Sequence, residues 1–308
     1  MPVLMLKTWD AGPWIDLFAE LMPDLEVRSY PDIGRVEEID YAYVFRPPPG
    51  LLGELPSLKG VFSVGAGVDH IVSDPDVPRH VPISRVVDPD MTMRMTEFCV
   101  FAVLYQHRRW AEIALSTAQR RWEVPLTPAA RDRRVGVMGL GALGGASARA
   151  LADLGFDVAG WARSGKAIDG VDVFSGPEEF FPFLDRSEIL LNLLPLTNAT
   201  TGILNKATFA ALRPGASIIN VARGGHLVDE DLIPALDSGQ LGGAFLDVFS
   251  VEPLPTNHPF WSHPQITISP HLASIADRRV RAGLVVDGIK RLEQGLRPLH
   301  CIDPSLGY

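Results

Sequence analysis

The sequence predicts an α/β protein built from two doubly wound parallel-sheet domains, and three observations support that expectation. Short apolar runs of strand length alternate with helical patterns along most of the chain, the order that gives a parallel sheet with helices on its faces. A glycine-rich turn near mid-chain closes one such run and opens a helical pattern. The chain has 308 residues, 46% of them hydrophobic, which exceeds one typical domain and supplies apolar content for two cores.

In chain order, residues 3–6, 25–30, 41–45, 61–64 and 81–86 read as strands, with residues 14–21 a helix between the first two. After the third run comes RPPPG, residues 46–50, whose three prolines stiffen a loop and forbid a helix there. Phe45 and Arg46 open that loop and are candidates for contact with a substrate. The segment SVGAGVDHI, residues 63–71, follows the fourth run with Gly65, Ala66, Gly67 and Val68 at the turn. Its glycines let a ligand approach the backbone, and the amides of a strand-to-helix turn suit an anion such as a carboxylate. An ordinary tight turn is the other reading of the same residues.

Residues 91–122 read as one long helix, of a length that carries the chain from one domain into a second. Met91, Met93 and Met95 near its start suit core filling or the lining of a cleft. Residues 135–138 then form a strand, Gly139, Gly141 and Gly144 make GxGxxG, and a helical pattern leads to a second strand over residues 157–162. In that strand–turn–helix setting the motif is a dinucleotide fingerprint, the glycines admitting a pyrophosphate to the helix N-terminus. Ala142, Leu143 and Trp161 join the three glycines as candidate cofactor contacts. An NAD site usually ends its second strand on an acid, whereas Ala162 here is followed by Arg163, Ser164 and Lys166. Two cations and a hydroxyl suit a 2′-phosphate. NADP(H) is therefore the expected cofactor and NAD(H) the alternative, with solvated cations the plainer account of the same residues.

Residues 188–194 read as another buried strand that ends on Leu194, a candidate cofactor contact, after which Pro195, Thr197 and Thr201 are placed to skirt the cofactor. Residues 206–212 and 229–236 read as helices, and residues 272–296 as a final long helix returning to the first domain. Between them, apolar runs at 216–222, 243–249 and 266–269 each deliver one ionisable residue just past the end: Arg223, Glu252 and His271. Val221 and Ala222 lie on the way to the first of these, as further candidate cofactor contacts. In an open parallel sheet the ligand crevice lies beyond the carboxyl ends of the strands, so one rim can hold all three side chains. A guanidinium fork for a carboxylate, an imidazole that carries a proton near neutral pH and an acid that fixes its tautomer suit hydride and proton chemistry on a small keto or hydroxy acid. Singly, each reads as a turn or loop residue. Their joint placement points to function.

The formal net charge of −9, with no extended basic run, argues against a nucleic-acid partner. Two cysteines, Cys99 and Cys301, are too few for a disulfide framework and are expected as reduced thiols. The start, MPVLMLKTWD, reads as a strand and not as a leader, and no uninterrupted apolar stretch reaches about 18 residues. A cytoplasmic protein without a membrane span or a metal site is the expectation.

SVGAGVDHI, VGVMGLGALG, LLPLTNATTGILN, INVARGGHLVDEDLIPAL, AFLDVFSVEPLP and ISPHLAS together resemble the D-isomer-specific 2-hydroxyacid dehydrogenase family, and within it the short glyoxylate/hydroxypyruvate reductase branch. The matches run in order from about residue 60 to residue 275, and the earlier residues match more loosely. The resemblance implies a Rossmann NAD(P)-binding domain, residues 99–275, inserted into a flavodoxin-like substrate domain, residues 1–98 plus 276–308, and a homodimer joined through the cofactor domain. It implies Arg223 as the substrate-binding arginine, His271 as the acid/base with Glu252 its partner, and the backbone of residues 64–68 as the holder of the substrate carboxylate. The chain departs from the commoner family pattern at Ala162 and Arg163, where many members have an acid. The expected reaction is NADPH-preferring reduction of a small 2-oxo acid to the D-2-hydroxy acid. The alternatives are a reductase of bulkier 2-oxo acids and, from another class, a non-enzymatic NAD(P)H-sensing binding protein.

Overall fold

The computed structural model describes all residues except Trp9, Lys166, Ala276 and 303–308. It divides into two compact units, Met1–Met91 together with the described residues of 276–308, and Thr92–Ile275. The division falls inside a helix, after Met91, where the sequence reading placed it after residue 98.

The first unit is a five-stranded sheet of β1 (Val3–Lys7), β2 (Glu26–Ser29), β3 (Tyr41–Val44), β4 (Gly60–Ser63) and β5 (Ile83–Ser84), in the order β2-β1-β3-β4-β5. Every pairing is parallel, and this 2-1-3-4-5 order is that of the flavodoxin-like doubly wound sheet. Along β1 the side chains alternate between two cores. Leu4 and Leu6 pack with Trp14 and Phe18 of the helix Gly12–Leu21 and with Val285 and Ile289 of the helix Arg278–Glu293. Val3 and Met5 pack on the other face with Leu52, Leu55 and Ile71. A strand buried on both faces is apolar along its length, which is why β1 and β3 appear in the sequence as short unbroken runs, whereas the half-buried β2 carries Glu26 and Arg28.

The second unit is a seven-stranded sheet of β6 (Arg134–Met138), β7 (Asp157–Ala162), β8 (Val171–Ser175), β9 (Ile189–Asn192), β10 (Ala216–Asn220), β11 (Leu241–Leu246) and β12 (Ile266–Ile268). Its order, β12-β11-β10-β9-β6-β7-β8, is parallel throughout and reverses direction between β6 and β9. That reversal is the switch point where doubly wound sheets open a crevice for a ligand. One core face carries Phe183, Leu190, Phe209, Ile218 and Leu246, and the other Cys99, Val137, Leu151, Leu191 and Ile219.

Three local expectations are corrected. The single helix over residues 91–122 is two helices, Pro89–His107 and Trp110–Ala118. The chain turns between them at Arg109, whose φ of 54° lies in the left-handed region that ends a helix. No glycine or proline marks that turn, so the helical periodicity runs through it unbroken. The final helix begins at Arg278 instead of residue 272, because the Asp277 carboxylate caps it by accepting the amides of Arg279 and Val280 at 2.7 and 3.4 Å. The sequence reading also passed over β8 and the helix Phe180–Arg186, β8 being half-buried and flanked by polar residues.

Candidate active site

Three neighbouring strand ends of the second sheet build the candidate site. Past β10, Arg223 is extended, with φ −146° and ψ 147°, before the single turn Gly224–His226. Its Nη1 donates to the Ala222 carbonyl at 2.7 Å. Gly224 lies flat against the chain that leaves β11, and a Cβ there would sit 1.9 Å from the Phe249 carbonyl carbon. Only glycine permits that approach, which sets the Arg223 turn directly against the segment bearing Glu252.

Glu252 is held at both oxygens. Its Oε1 accepts the Phe249 amide at 3.0 Å, and its Oε2 lies 2.9 Å from Nδ1 of His271. The pair is sheltered yet reachable, with side-chain exposures of 15% for Glu252 and 32% for His271. Because a carboxylate accepts, the proton of the imidazole rests on Nδ1, which leaves Nε2 as the atom able to gain or give a proton.

A residue that sequence reasoning missed, Asp247, places the histidine. It is fully buried at the end of β11. Its Oδ1 accepts the Ser269 hydroxyl at 2.6 Å and the Leu272 amide at 3.0 Å, while Oδ2 accepts the Ala273 amide at 3.0 Å. Its backbone carbonyl takes the His271 amide at 2.8 Å. Held on both sides, His271 adopts φ 53°, which a residue with a side chain rarely does. Burial raises the Asp247 pKa, with the hydrogen bonds from Ser269, Leu272 and Ala273 opposing the rise. Its sequence signal was present in LDVFSVEP, where an acid follows a buried strand.

The reversal between β6 and β9 supplies a cradle that fits a dinucleotide. Gly139 has φ +93°, a conformation that side chains avoid, and Gly144 packs so closely that a Cβ would fall 1.8 Å from the Gly139 carbonyl oxygen. A Cβ on Gly141 would meet nothing within 4 Å, so that face of the turn is open to a ligand. The 12-residue helix Ala142–Asp153 begins there with no side-chain cap, a helix N-terminus of the kind that suits a phosphate, and Ala142 is exposed while Leu143 is half-buried. Trp161, near the end of β7, donates its Nε1 to the Gly176 carbonyl at 2.8 Å and packs on Phe180. Arg163 and Ser164 are exposed just beyond it, and Lys166 lies outside the described residues. Leu194, Val221 and Ala222 are buried around the switch point, and the turn after β9 is braced by Thr200 Oγ1 and Thr201 Oγ1, which donate to the carbonyls of Pro195 and Thr197 at 2.7 and 2.9 Å.

In the first unit, the Gly65–Val68 turn follows β4 at the carboxyl edge of its own sheet. The buried Ser63 hydroxyl fixes it, donating to the Gly67 carbonyl at 2.9 Å and accepting the Gly65 amide at 3.3 Å. Arg281 Nη1 lies 3.5 Å from the Val64 carbonyl. Ala66 is half-buried, and a Cβ on Gly65 would meet nothing within 4 Å, so the turn keeps open space beside it. Phe45 packs against His70 at 5.1 Å between ring centroids, with the Arg46 guanidinium 5.4 Å from the Phe45 ring. Met91 and Met95 are buried, and Met93 is 56% exposed.

Comparison with known proteins identifies the family. Residues 100–273 match the family model of the D-isomer specific 2-hydroxyacid dehydrogenase NAD binding domain. The chain is 43% identical over 306 residues to a glyoxylate/hydroxypyruvate reductase A of Serratia proteamaculans, with 97% of each covered. It is similar to the crystal structure of a D-isomer specific 2-hydroxyacid dehydrogenase of Xanthobacter autotrophicus Py2 in complex with NADPH and MES, at TM-score 0.92 and 42% identity, covering 100% of this chain and 99% of that one. It is also similar to an NADPH-dependent glyoxylate/hydroxypyruvate reductase of Sinorhizobium meliloti in complex with NADP and sulfate, at TM-score 0.92 and 37% identity over the whole of both chains. With two parallel doubly wound sheets, a glycine cradle at the switch point and the family model matched across the second unit, the chain belongs to the D-isomer-specific 2-hydroxyacid dehydrogenase family.

Proposed function

We propose that the protein is an NADPH-preferring reductase of small 2-oxo acids, of the glyoxylate and hydroxypyruvate kind, giving the D-2-hydroxy acid. The observation that carries this reading is the Glu252–His271 pair at 2.9 Å, set at the strand ends beside the Arg223 turn. The names of the Serratia and Sinorhizobium relatives support the substrate class, and the two NADPH- or NADP-bound structures support the cofactor.

The residues divide the work as follows. Arg223 binds the carboxylate of the 2-oxo acid through its guanidinium fork. Glu252 holds Nδ1 of His271, so the ring presents Nε2–H to the C2 oxygen and gives up that proton as negative charge develops there. The reduced nicotinamide supplies, when bound, the hydride that C2 receives. Gly139, Gly141 and Gly144 with Ala142 and Leu143 hold the pyrophosphate, while Trp161, Leu194, Pro195, Thr201, Val221 and Ala222 line the rest of the cofactor path. Arg163 and Ser164, with Lys166, take the 2′-phosphate, for which no acid at Ala162 competes.

The assay is direct. Purified protein is given NADPH or NADH and a panel running from glyoxylate and hydroxypyruvate to phenylpyruvate. Turnover on the small acids with a higher kcat/KM for NADPH is expected. A preference for phenylpyruvate selects the bulkier-acid reading. Tight NADPH binding without turnover on any acid selects the sensor and overturns the enzyme.

The same reading makes the protein a cytoplasmic homodimer. Phe101, Leu104, Trp110, Leu115, Trp122, Val124 and Leu126 are all exposed on the second unit, Trp122 at 97% and Leu126 at 88%. Apolar side chains gathered on one stretch of chain to this extent mark an interface, and a second copy is the occupant proposed. A monomeric mass in solution would remove that assignment. Among the described residues no helix is long and apolar enough to cross a membrane.

A further inference from the structure

Beneath Arg223 lies a buried polar network that none of the roles above uses. Asn192, Asn220 and His226 are each fully buried. Asn192 Nδ2 donates to Asn220 Oδ1 at 3.0 Å, and Asn192 Oδ1 accepts the Leu194 amide at 3.2 Å. Asn220 Nδ2 donates onward to the carbonyl oxygen of Arg223 at 2.9 Å. That same oxygen accepts the His226 amide at 3.2 Å and faces His226 Nδ1 at 3.1 Å. The other ring nitrogen, Nε2, faces the Pro195 carbonyl at 3.3 Å. One imidazole therefore spans two loops, the one bearing the arginine and the one that follows β9 at the switch point.

A carbonyl that accepts two N–H groups, from the Asn220 side chain and the His226 backbone, and faces a ring nitrogen besides has its peptide plane fixed, and with it the direction in which the neighbouring side chain leaves the backbone. Arg223 is extended and sits only three residues past its strand, so ordinary ladder bonds no longer hold it. The network takes over that task. We propose that His226 is a positioning residue for substrate binding: packed between the Arg223 and Pro195 carbonyls, with its one ring N–H donated to one of them and its backbone N–H to the former, it presets the guanidinium for the carboxylate of the 2-oxo acid. The assignment rests on the reading of Arg223 given above and extends it to a side chain that never meets the substrate.

The test is a double-mutant cycle between His226→Phe and Arg223→Met, with KM for glyoxylate, kcat and Tm measured for each chain. His226→Phe fills the space of the ring but cannot hydrogen-bond. It is expected to raise KM by about 2- to 10-fold in the parent chain, the range for one hydrogen bond, with kcat changed much less. In the Arg223→Met background the same change should leave KM where it was, because the group it positions is gone. His226→Gln, which restores a side-chain N–H, should recover part of the loss. Equal KM shifts in both backgrounds overturn the role of His226 and leave the assignment of Arg223 standing. A normal KM for Arg223→Met alone overturns the underlying reading instead. Should His226→Phe fail to fold, the cycle is read on His226→Gln, where an equal shift in both backgrounds again overturns the proposal and a shift confined to the arginine-bearing chain supports it.

Discussion

The two halves of the second sheet, on either side of the reversal between β6 and β9, solve their problems by opposite means. On the β6–β8 side the turn is made from what is missing: a Cβ at Gly144 would collide with the Gly139 carbonyl oxygen, and a Cβ at Gly141 would enter open space. On the β10–β12 side the turns carry groups that are present: a guanidinium, a carboxylate and an imidazole, each locked by hydrogen bonds to its neighbours. A site made of backbone is damaged by adding one atom, whereas a site made of side chains is damaged by taking one away. The first kind of damage should fall on cofactor affinity and the second on turnover.

The largest effect tests the side-chain half. His271→Ala removes the proposed acid/base and should lower kcat by about a hundredfold to ten-thousandfold while leaving NADPH affinity near its parent value. A kcat within tenfold of the parent would break the division of labour. Next comes the pair Gly141→Ala and Gly144→Ala on the backbone half. Gly141→Ala should weaken NADPH binding by at least about tenfold with little change in Tm, since only a ligand meets its new methyl. Gly144→Ala should cost both binding and Tm, its methyl meeting the chain itself at 1.8 Å. Titration of NADPH fluorescence beside a thermal melt separates the two; equal Tm losses would blur the contrast.

A smaller effect concerns the one place where the backbone half borrows a charge. Arg163→Ala should lower the ratio of kcat/KM for NADPH over NADH by about 10- to 150-fold, the worth of a charge-assisted hydrogen bond of roughly 1.5 to 3 kcal/mol. An unchanged ratio would assign 2′-phosphate recognition elsewhere. The smallest effect lies at Cys99, fully buried in the core beneath this half. Burial lifts its thiol from an ordinary value of 9.0 to about 12. A raised thiol pKa means that the folded state favours the neutral form. The stability this gives is fully present below pH 9.0 and is lost as pH rises toward 12. At pH 8 the folded chain should therefore leave Cys99 unmodified by a maleimide until denaturant is added, with no change in activity.

The contrast also accounts for what the sequence disclosed. Elements whose physics is local were legible: the glycine turn between β6 and its helix, the strand β7 with the bounds expected of it, and the apolar runs that deliver Arg223, Glu252 and His271. Elements that depend on contacts distant in sequence were not. Asp247 looks like any acid after a strand until its oxygens are found on Ser269, Leu272 and Ala273, more than twenty residues on. His226 drew no reading from the sequence, and the Pro195 carbonyl it faces lies 31 positions away along the chain. The break at Arg109 between two helices escaped because a left-handed arginine, unlike a glycine, leaves no mark in a pattern of hydrophobicity.

The clamp that Asp247 places on the His271 main chain has one more consequence. Sparsely populated backbone states cost on the order of 1 to 3 kcal/mol and persist only where surrounding contacts overdetermine them. Here the cost is met once, as the polypeptide folds. If His271 is the acid/base proposed above, each turnover then begins with its backbone already placed and its ring on Glu252, and orientational entropy surrendered in advance no longer stands in the barrier of the chemical step.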